Sequence, residues 1–493
     1  MTLLAGSLVL LYFTALVVLS VYALHRLWLV RLCRRGARGA RHEEPVRCAA
    51  QAAGAASDGR CPSALALPHV TVQLPLYNER FVAERLLDAV GALDYPRARL
   101  DVQILDDSTD ETAELVARAA ARLRARGLAV VHHRRRTRVG FKAGALAAGL
   151  RCARGELLLL LDADFVPPPD LIRRLLPSFA DPRVAAVQAR WTHMNERQNL
   201  ATRVQACALD GHFLVEQAAR ARAGLFLTFN GTAGMWRRAA VEDAGGWHDD
   251  TLTEDLDLSY RAQLRGWSIV LRNDVSVPGE LPETIAAFRK QQQRWARGTI
   301  GCARKHLRAV LGSPLPARVK LAALFQLTGH LVYPATVLLA LCIVPALIAR
   351  RAFGWTDLFW VDLALATGTL LPNSIFFREA MRRSGRRASW RGIAMLLYAG
   401  IGLAVSNTRA LLGALRQERG HFERTPKAGA AARAGRTAPG YVARPSPLLR
   451  LVDGSLAAYL AFGIWFAAAH GLPIAVPFLA LLTLGFVNSA VAS

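Results

Sequence analysis

The sequence predicts a doubly wound, mostly parallel α/β sheet held between transmembrane and interfacial helices. Three observations carry that expectation. From Val70 onward, short apolar runs alternate with helical stretches, as in parallel strands buried on both faces. Long apolar runs lie near both ends of the chain. Acidic pairs stand directly after apolar runs in the middle, where open α/β sheets bind ligands at strand ends.

Leu3 to Leu24 is apolar apart from Gly, Ser, Thr and Tyr. At about 1.5 Å per residue it crosses a hydrocarbon core of about 30 Å. The basic cluster Arg26, Arg31, Arg34, Arg35, Arg38 and Arg41 follows the run, whereas a signal peptide carries its charge before it. Residues 1–30 therefore read as an uncleaved span whose C-terminal end is cytoplasmic. Residues 31–67 read as a linker, rich in Ala, Gly and Arg. Within 68–298 the expected strands are Val70–Leu76, Val102–Leu105, Ala129–His132, Leu157–Leu161, Val184–Gln188 and Ser268–Arg272. Helices are expected between them, over Asp110–Arg126 and Lys142–Ala153 for example.

Residues 299–493 read as interfacial helices and spans. Thr299–Leu311, with Arg304, Lys305 and Arg308, is basic and amphipathic and is expected at the membrane surface. Spans are expected over 326–349, 358–377, 449–469 and 472–490, the last two joined at His470-Gly471. With the first, that makes five. Residues 393–413 are apolar but carry Ser406, Asn407 and Arg409. Arg382, Arg383, Arg386 and Arg387 precede them, and Arg416, Arg419, Arg424 and Lys427 follow. A crossing would leave one cluster outside, so an interfacial cytoplasmic helix is expected there.

Lys and Arg number 62 against 37 Asp and Glu, a net charge of +25, which asks for an anionic partner. Nucleic acid, an anionic membrane face and a diphosphate are the candidates, and segregation of the apolar residues, 53% of the chain, into long runs favours the membrane. A nucleic-acid binder would leave the strand-end carboxylates unexplained. The seven Cys include no C-x-x-C pair, so neither a zinc site nor a redox pair is expected, and the scattered set fits a reducing compartment.

The acidic stations are Asp106-Asp107-Ser108, Asp162-Ala163-Asp164 and Thr253-Glu254-Asp255, with Tyr77-Asn78-Glu79 upstream. Asp-x-Asp puts two carboxylates on one side of an extended backbone. Mg²⁺ or Mn²⁺ prefers such hard oxygens, with phosphates completing its shell. Asp162 and Asp164 are thus the expected metal ligands. Thr253 to Leu258 has the spacing of a helix start, where an acidic first turn is common for electrostatic reasons alone. Further on, Gln291-Gln292-Gln293-Arg294-Trp295 puts Gln291 and Arg294 on one helical face. Arg suits a pyrophosphate by bidentate contact, and Trp offers a flat face to a sugar ring.

Together and in this order, these motifs resemble the family 2 glycosyltransferases that polymerise β-linked polysaccharides. The resemblance is to the cellulose synthase-like and glucomannan 4-β-mannosyltransferase branch. Gly140–Leu146, Val187–Trp191, Phe229–Gly234 and Gly245-Gly246-Trp247 match that branch as well. The resemblance implies a GT-A-type catalytic domain over 68–298 and inverting transfer of hexosyl units from a GDP-mannose- or UDP-glucose-type donor. The acceptor is a growing glycan. It implies Asp255 as general base with Glu254 beside it, and a divalent cation on Asp162 and Asp164. Donor and nucleotide binding fall to Tyr77, Glu79, Asp106, Asp107, Lys142 and Gly231, and the acceptor end and diphosphate to Gln291, Arg294 and Trp295. Phe422, Thr425 and Lys427, within 416–430, resemble the gating loop of cellulose synthases, F-x-V-T-x-K, departing from it at Arg424. The enzyme alternative is transfer of one sugar to a polyprenyl phosphate, a class that shares the acidic stations but usually lacks Q-x-x-R-W.

Overall fold

The computed structural model describes residues 2–35, 67–416 and 446–491. Most of the expected linker, and the gating-like Phe422, Thr425 and Lys427, lie outside the described residues.

The central sheet has seven strands: β1 Val70–Leu76, β2 Leu100–Asp106, β3 Ala129–Arg134, β4 Leu157–Leu160, β5 Val184–His193, β6 Gly234–Arg237 and β7 Ser268–Gly279. Their order is β3-β2-β1-β4-β6-β5-β7. Alternate residues of β4 explain the apolar runs. Leu157 and Leu159 enter the core on one face with Val72 and Leu74, while Leu158 and Leu160 enter the other with Leu146 and Trp236. A strand between two helical layers needs apolar side chains at both parities.

One strand escapes the sequence expectation. β6 is four residues long and runs antiparallel to both β4 and β5, so the sheet is mixed. It follows a Gly-rich loop whose Gly231 and Ala233 have positive φ, and so it reads locally as a turn. β5 and β7 also run further than expected, because their later residues pair with one another up to His193 and Gly279.

The first helix is continuous over Thr2–Arg35, past the boundary expected at residue 30. Leu29, Val30 and Cys33 are buried against Cys207, Val215, Phe376 and Phe377, and that packing extends it. Among the described residues, four helices are long and apolar enough to cross a membrane: Leu3–Arg35, Ala317–Ala352, Pro447–Ala469 and Pro473–Val491. The stretch expected as a span over 358–377 forms the helix Phe359–Arg383 but is not among them. Its apolar run is diluted by Asp362 and Asn373, which bond to Tyr12 and Arg26 of the first helix. The stretch 393–413 forms two helices, Trp390–Gly402 and Ala404–Leu415, bent by 41° at Leu403.

Thr299–Leu311 is not a separate surface helix. It is the second half of one helix, Ile285–Gly312, which begins nine residues before the Arg-Trp pair with Thr284 capping Ala287 N. Lys305 and His306 point back at the sheet domain, because Asp257 there offers them a buried carboxylate.

Candidate active site

The carboxylates at the ends of β1, β2 and β4 sort into two kinds. Asp106 is fully buried and does not line the cavity. It accepts hydrogen bonds from the Ser108 amide at 2.8 Å and pairs with His132 Nε2 at 2.9 Å. Burial resists its ionisation, but those bonds outweigh it and hold the carboxyl below the usual range. Asp107, the next residue, faces the cavity and is held by the guanidinium fork of Arg135, with Nε on Oδ1 at 2.8 Å. The same Arg135 donates to the Phe141 carbonyl, tying the Arg138–Phe141 turn to the end of β2.

Tyr77 and Glu79 line the same cavity. Arg138 stacks its guanidinium 3.3 Å from the Tyr77 ring centroid, making a cation-faced aromatic shelf. Arg138 lies in an Arg-rich run that the sequence offers only as charge, so its site position was not legible there. Trp191, at the far end of β5, donates from Nε1 to the Thr232 carbonyl at 3.3 Å and lies 5.1 Å from the Phe165 ring. Thr232 in turn accepts the Asp162 amide at 2.7 Å. The loop before β6 is thus pinned to the Asp-x-Asp turn.

Asp162 and Asp164 stand at the cavity wall where β4 ends. The Lys142 ammonium lies 2.6 Å from Asp162 Oδ1, 3.7 Å from Glu254 Oε1 and 3.0 Å from the Gly231 carbonyl. Burial works against that ammonium, and Asp162 and Glu254 outweigh it, holding the lysine above its usual pKa. Lys142 takes one oxygen of Asp162, and the other Asp162 oxygen and the Asp164 carboxylate are hard donors on the same cavity wall. The residues therefore fit a divalent cation.

Asp255 faces Gly231 closely. A Cβ at Gly231, where φ is +81°, would lie 3.0 Å from Asp255 Oδ2. Glycine is needed there on both counts. Burial, and then the charge of Glu254, push the Asp255 carboxyl up to about 7, against the pull of Lys142 and Arg294. Asp257, one turn-face away, is fully buried and pairs with Arg261, Lys305 and His306 at 2.7–2.8 Å. Lys305 also reaches His248 Nδ1 at 3.1 Å and Asp250 at 2.8 Å. His248, Asp250 and Asp257 are close enough to share a cation, and Lys305 is that cation.

Gln291, Arg294 and Trp295 line the cavity from the helix Ile285–Gly312. That helix approaches the Thr253–Asp255 segment at Gly298, where a Cβ would meet Thr253 Cγ2 at 2.4 Å. The cavity, of about 180 Å³, shares Asp255, Gln291 and Trp295 with a second one of about 580 Å³. The second continues between Tyr22 and Arg26 of the first helix, Tyr333 and Thr336, and Phe478 and Leu482.

Residues 68–298 match the family described as "Glycosyltransferase like family 2". The chain is 45% identical over 249 residues to a probable glucomannan 4-beta-mannosyltransferase 10 of Arabidopsis thaliana, covering 50% of this chain and 45% of that protein. It is 44% identical over 251 residues to glucomannan 4-beta-mannosyltransferase 1 of Oryza sativa subsp. japonica, covering 50% and 48%. The chain thus spans about half the length of the curated relatives it matches. A mannosyltransferase from Pyrobaculum calidifontis, solved in complex with GDP-Man and Mn²⁺, superposes with a TM-score of 0.52 at 22% identity. That likeness covers 76% of this chain and 98% of that one, and the two share the GT-A-like fold. The similarity to family 2 glycosyltransferases thus lies in residues 68–298.

Proposed function

We propose that this chain is a membrane-bound inverting glycosyltransferase. It transfers hexosyl units from a GDP-mannose- or UDP-glucose-type donor to a growing β-linked polysaccharide. The observation that carries the reading is the single cavity in which Asp162, Asp164, Asp255, Gln291, Arg294 and Trp295 meet. Its continuity with the larger cavity among the apolar helices supports a polymer that stays bound and leaves through protein. Relatives named as glucomannan mannosyltransferases favour mannose as the sugar moved.

Asp255 accepts the proton of the acceptor hydroxyl as that oxygen bonds to the anomeric carbon. The bond from that carbon to the nucleoside diphosphate breaks on the opposite face, which inverts the configuration once. A base titrating near 7 suits that task. Arg294 and Lys142 are the cations that take up charge on the departing diphosphate. A divalent cation held by Asp162 and Asp164 would add Lewis-acid stabilisation of the same leaving group. Tyr77, Glu79 and Asp107 hold the nucleotide, with Asp106 fixing the strand end beneath them. Trp295 stacks on the terminal sugar and Gln291 hydrogen-bonds to it.

The basic residues Arg31, Arg34 and Arg35, with Arg382, Arg383, Arg386 and Arg387, support a catalytic domain on the cytoplasmic side of the cell membrane. The partners are then a nucleotide sugar, a glycan chain and the bilayer, not a nucleic acid. Incubating purified protein with labelled GDP-mannose and UDP-glucose, with and without Mn²⁺ or Mg²⁺, and sizing the product tests the reading. A β-linked polymer that EDTA abolishes is expected. A single added sugar on a lipid phosphate would overturn it.

A further inference from the structure

Arg289 stands one and a half turns before Trp295, on the same helix, yet contributes nothing to the cavity. At about 100° per residue, Gln291, Arg294 and Trp295 lie roughly 200°, 140° and 240° around the helix from it. It therefore leaves the side opposite to the motif. Its side chain is 6% exposed, and its partner Asp453 is 1% exposed. The guanidinium donates to Asp453 Oδ2 at 3.4 Å, to the Ser489 carbonyl at 3.1 Å and to the Ser489 hydroxyl. That hydroxyl lies 2.7 Å from the Gly402 carbonyl. Asp453, Ser489 and Gly402 belong to three different helices, Pro447–Ala469, Val476–Val491 and Trp390–Gly402. The helices meet tightly there, since a Cβ on Gly402 would lie 2.9 Å from the Gly485 carbonyl.

We propose that Arg289 is the positioning residue through which the C-terminal helices hold the Gln291–Trp295 face against the glycan end. A buried charge separated from its partner is costly, so the helix cannot rotate or slide at this point without breaking the pair. Gly298, against Thr253, fixes the same helix three residues beyond Trp295. The motif is thus clamped on both sides, and the anchor before it is set by residues that never touch the glycan. This inference rests on the polymerase reading for its catalytic consequence, but not for its structural one.

The test uses the full-length protein with Asp453→Asn, Asp453→Glu and Arg289→Lys, the last retaining charge so that folding is preserved. The donor is whichever of GDP-mannose and UDP-glucose the wild type accepts. Asp453→Asn and Arg289→Lys should leave the donor KM within about twofold while lowering kcat and shortening the product by about tenfold, and Asp453→Glu should recover most of the length. Amide hydrogen exchange should rise over residues 285–298 in the first two variants and stay unchanged in β1 and β2. Wild-type product length with unchanged exchange would overturn the proposal. So would a uniform rise in exchange across the domain, or a loss of rate that tracks the folded fraction alone. If the wild type makes no polymer, the function reading fails, and the exchange measurement alone decides the role of Arg289.

Discussion

Asp255 and Asp257 stand two residues apart on the first turn of one helix and live in opposite electrostatic surroundings. Two positions on a helix turn the side chains about 200° apart, so one faces the cavity and the other faces the helix Ile285–Gly312. Asp257 meets three cationic or donor groups there, and His306, Lys305 and Arg261 overcome its burial and hold it well below the carboxylate range. Asp255 is half-buried at the cavity wall, but its immediate neighbour is the carboxylate of Glu254, and it rises to about 7. The contrast teaches how one segment divides anchoring from chemistry. A carboxylate saturated with cations binds helices together and is useless as a base. One kept short of cations can take a proton near neutral pH.

The comparison breaks most visibly with Asp255→Asn. Transfer should fall by at least ~10²-fold while GDP or UDP binding, measured by calorimetry, stays within a few-fold of wild type. Equal loss of binding and rate would make Asp255 a structural helix start. Asp257→Asn should do the reverse. It strips the partner from buried His306 and from Lys305, and should cost about 3 kcal/mol or more of stability, read as a lowered denaturation midpoint. The pH profile of the surviving Asp257→Asn protein should keep its midpoint.

The sign of the pH dependence follows from the raised pKa. The proposed base must be ionised, so kcat/KM should be flat above about 7 and fall about tenfold per unit below it. Glu254→Gln removes the neighbouring negative charge and should move that limb to lower pH, whatever it does to the maximal rate. A limb that stays in place would assign the titration to another group. The smallest effect is expected from Gly298→Ala. The added methyl meets Thr253 and should cost about 1–3 kcal/mol and lower kcat modestly, by displacing the helix from Asp255. An unaltered denaturation midpoint would show that the two helices do not need this close approach.

Much of the fold was legible because burial writes itself locally. Both faces of β4 are covered, and the sequence there is an unbroken run of leucines. The ends of β1, β2 and β4 were legible for the same reason, since the first carboxylate marks where the apolar run stops. β6 was not, because Gly234–Arg237 becomes a strand only between β4 and β5, whose backbone groups it satisfies. Nor was the continuity of Ile285–Gly312. Lys305 and His306 read as a basic surface until Asp257, nearly fifty residues earlier, is brought against them.

The sequence by itself determined which residue types were available: paired carboxylates after strands, a Gln-x-x-Arg-Trp face on a helix, and apolar runs of membrane length. Those follow from periodicity and from the chemistry of single side chains. Only the tertiary structure decided how they are used. It set Lys142 over Asp162, buried Asp106 beneath the cavity while turning Asp107 into it, and gave cations to Asp257 rather than Asp255. It also joined Arg289 to Asp453, 164 positions away. The physical reason is that a carboxylate's proton affinity depends on burial and on charges within a few ångströms, and in a folded chain those charges come from distant segments.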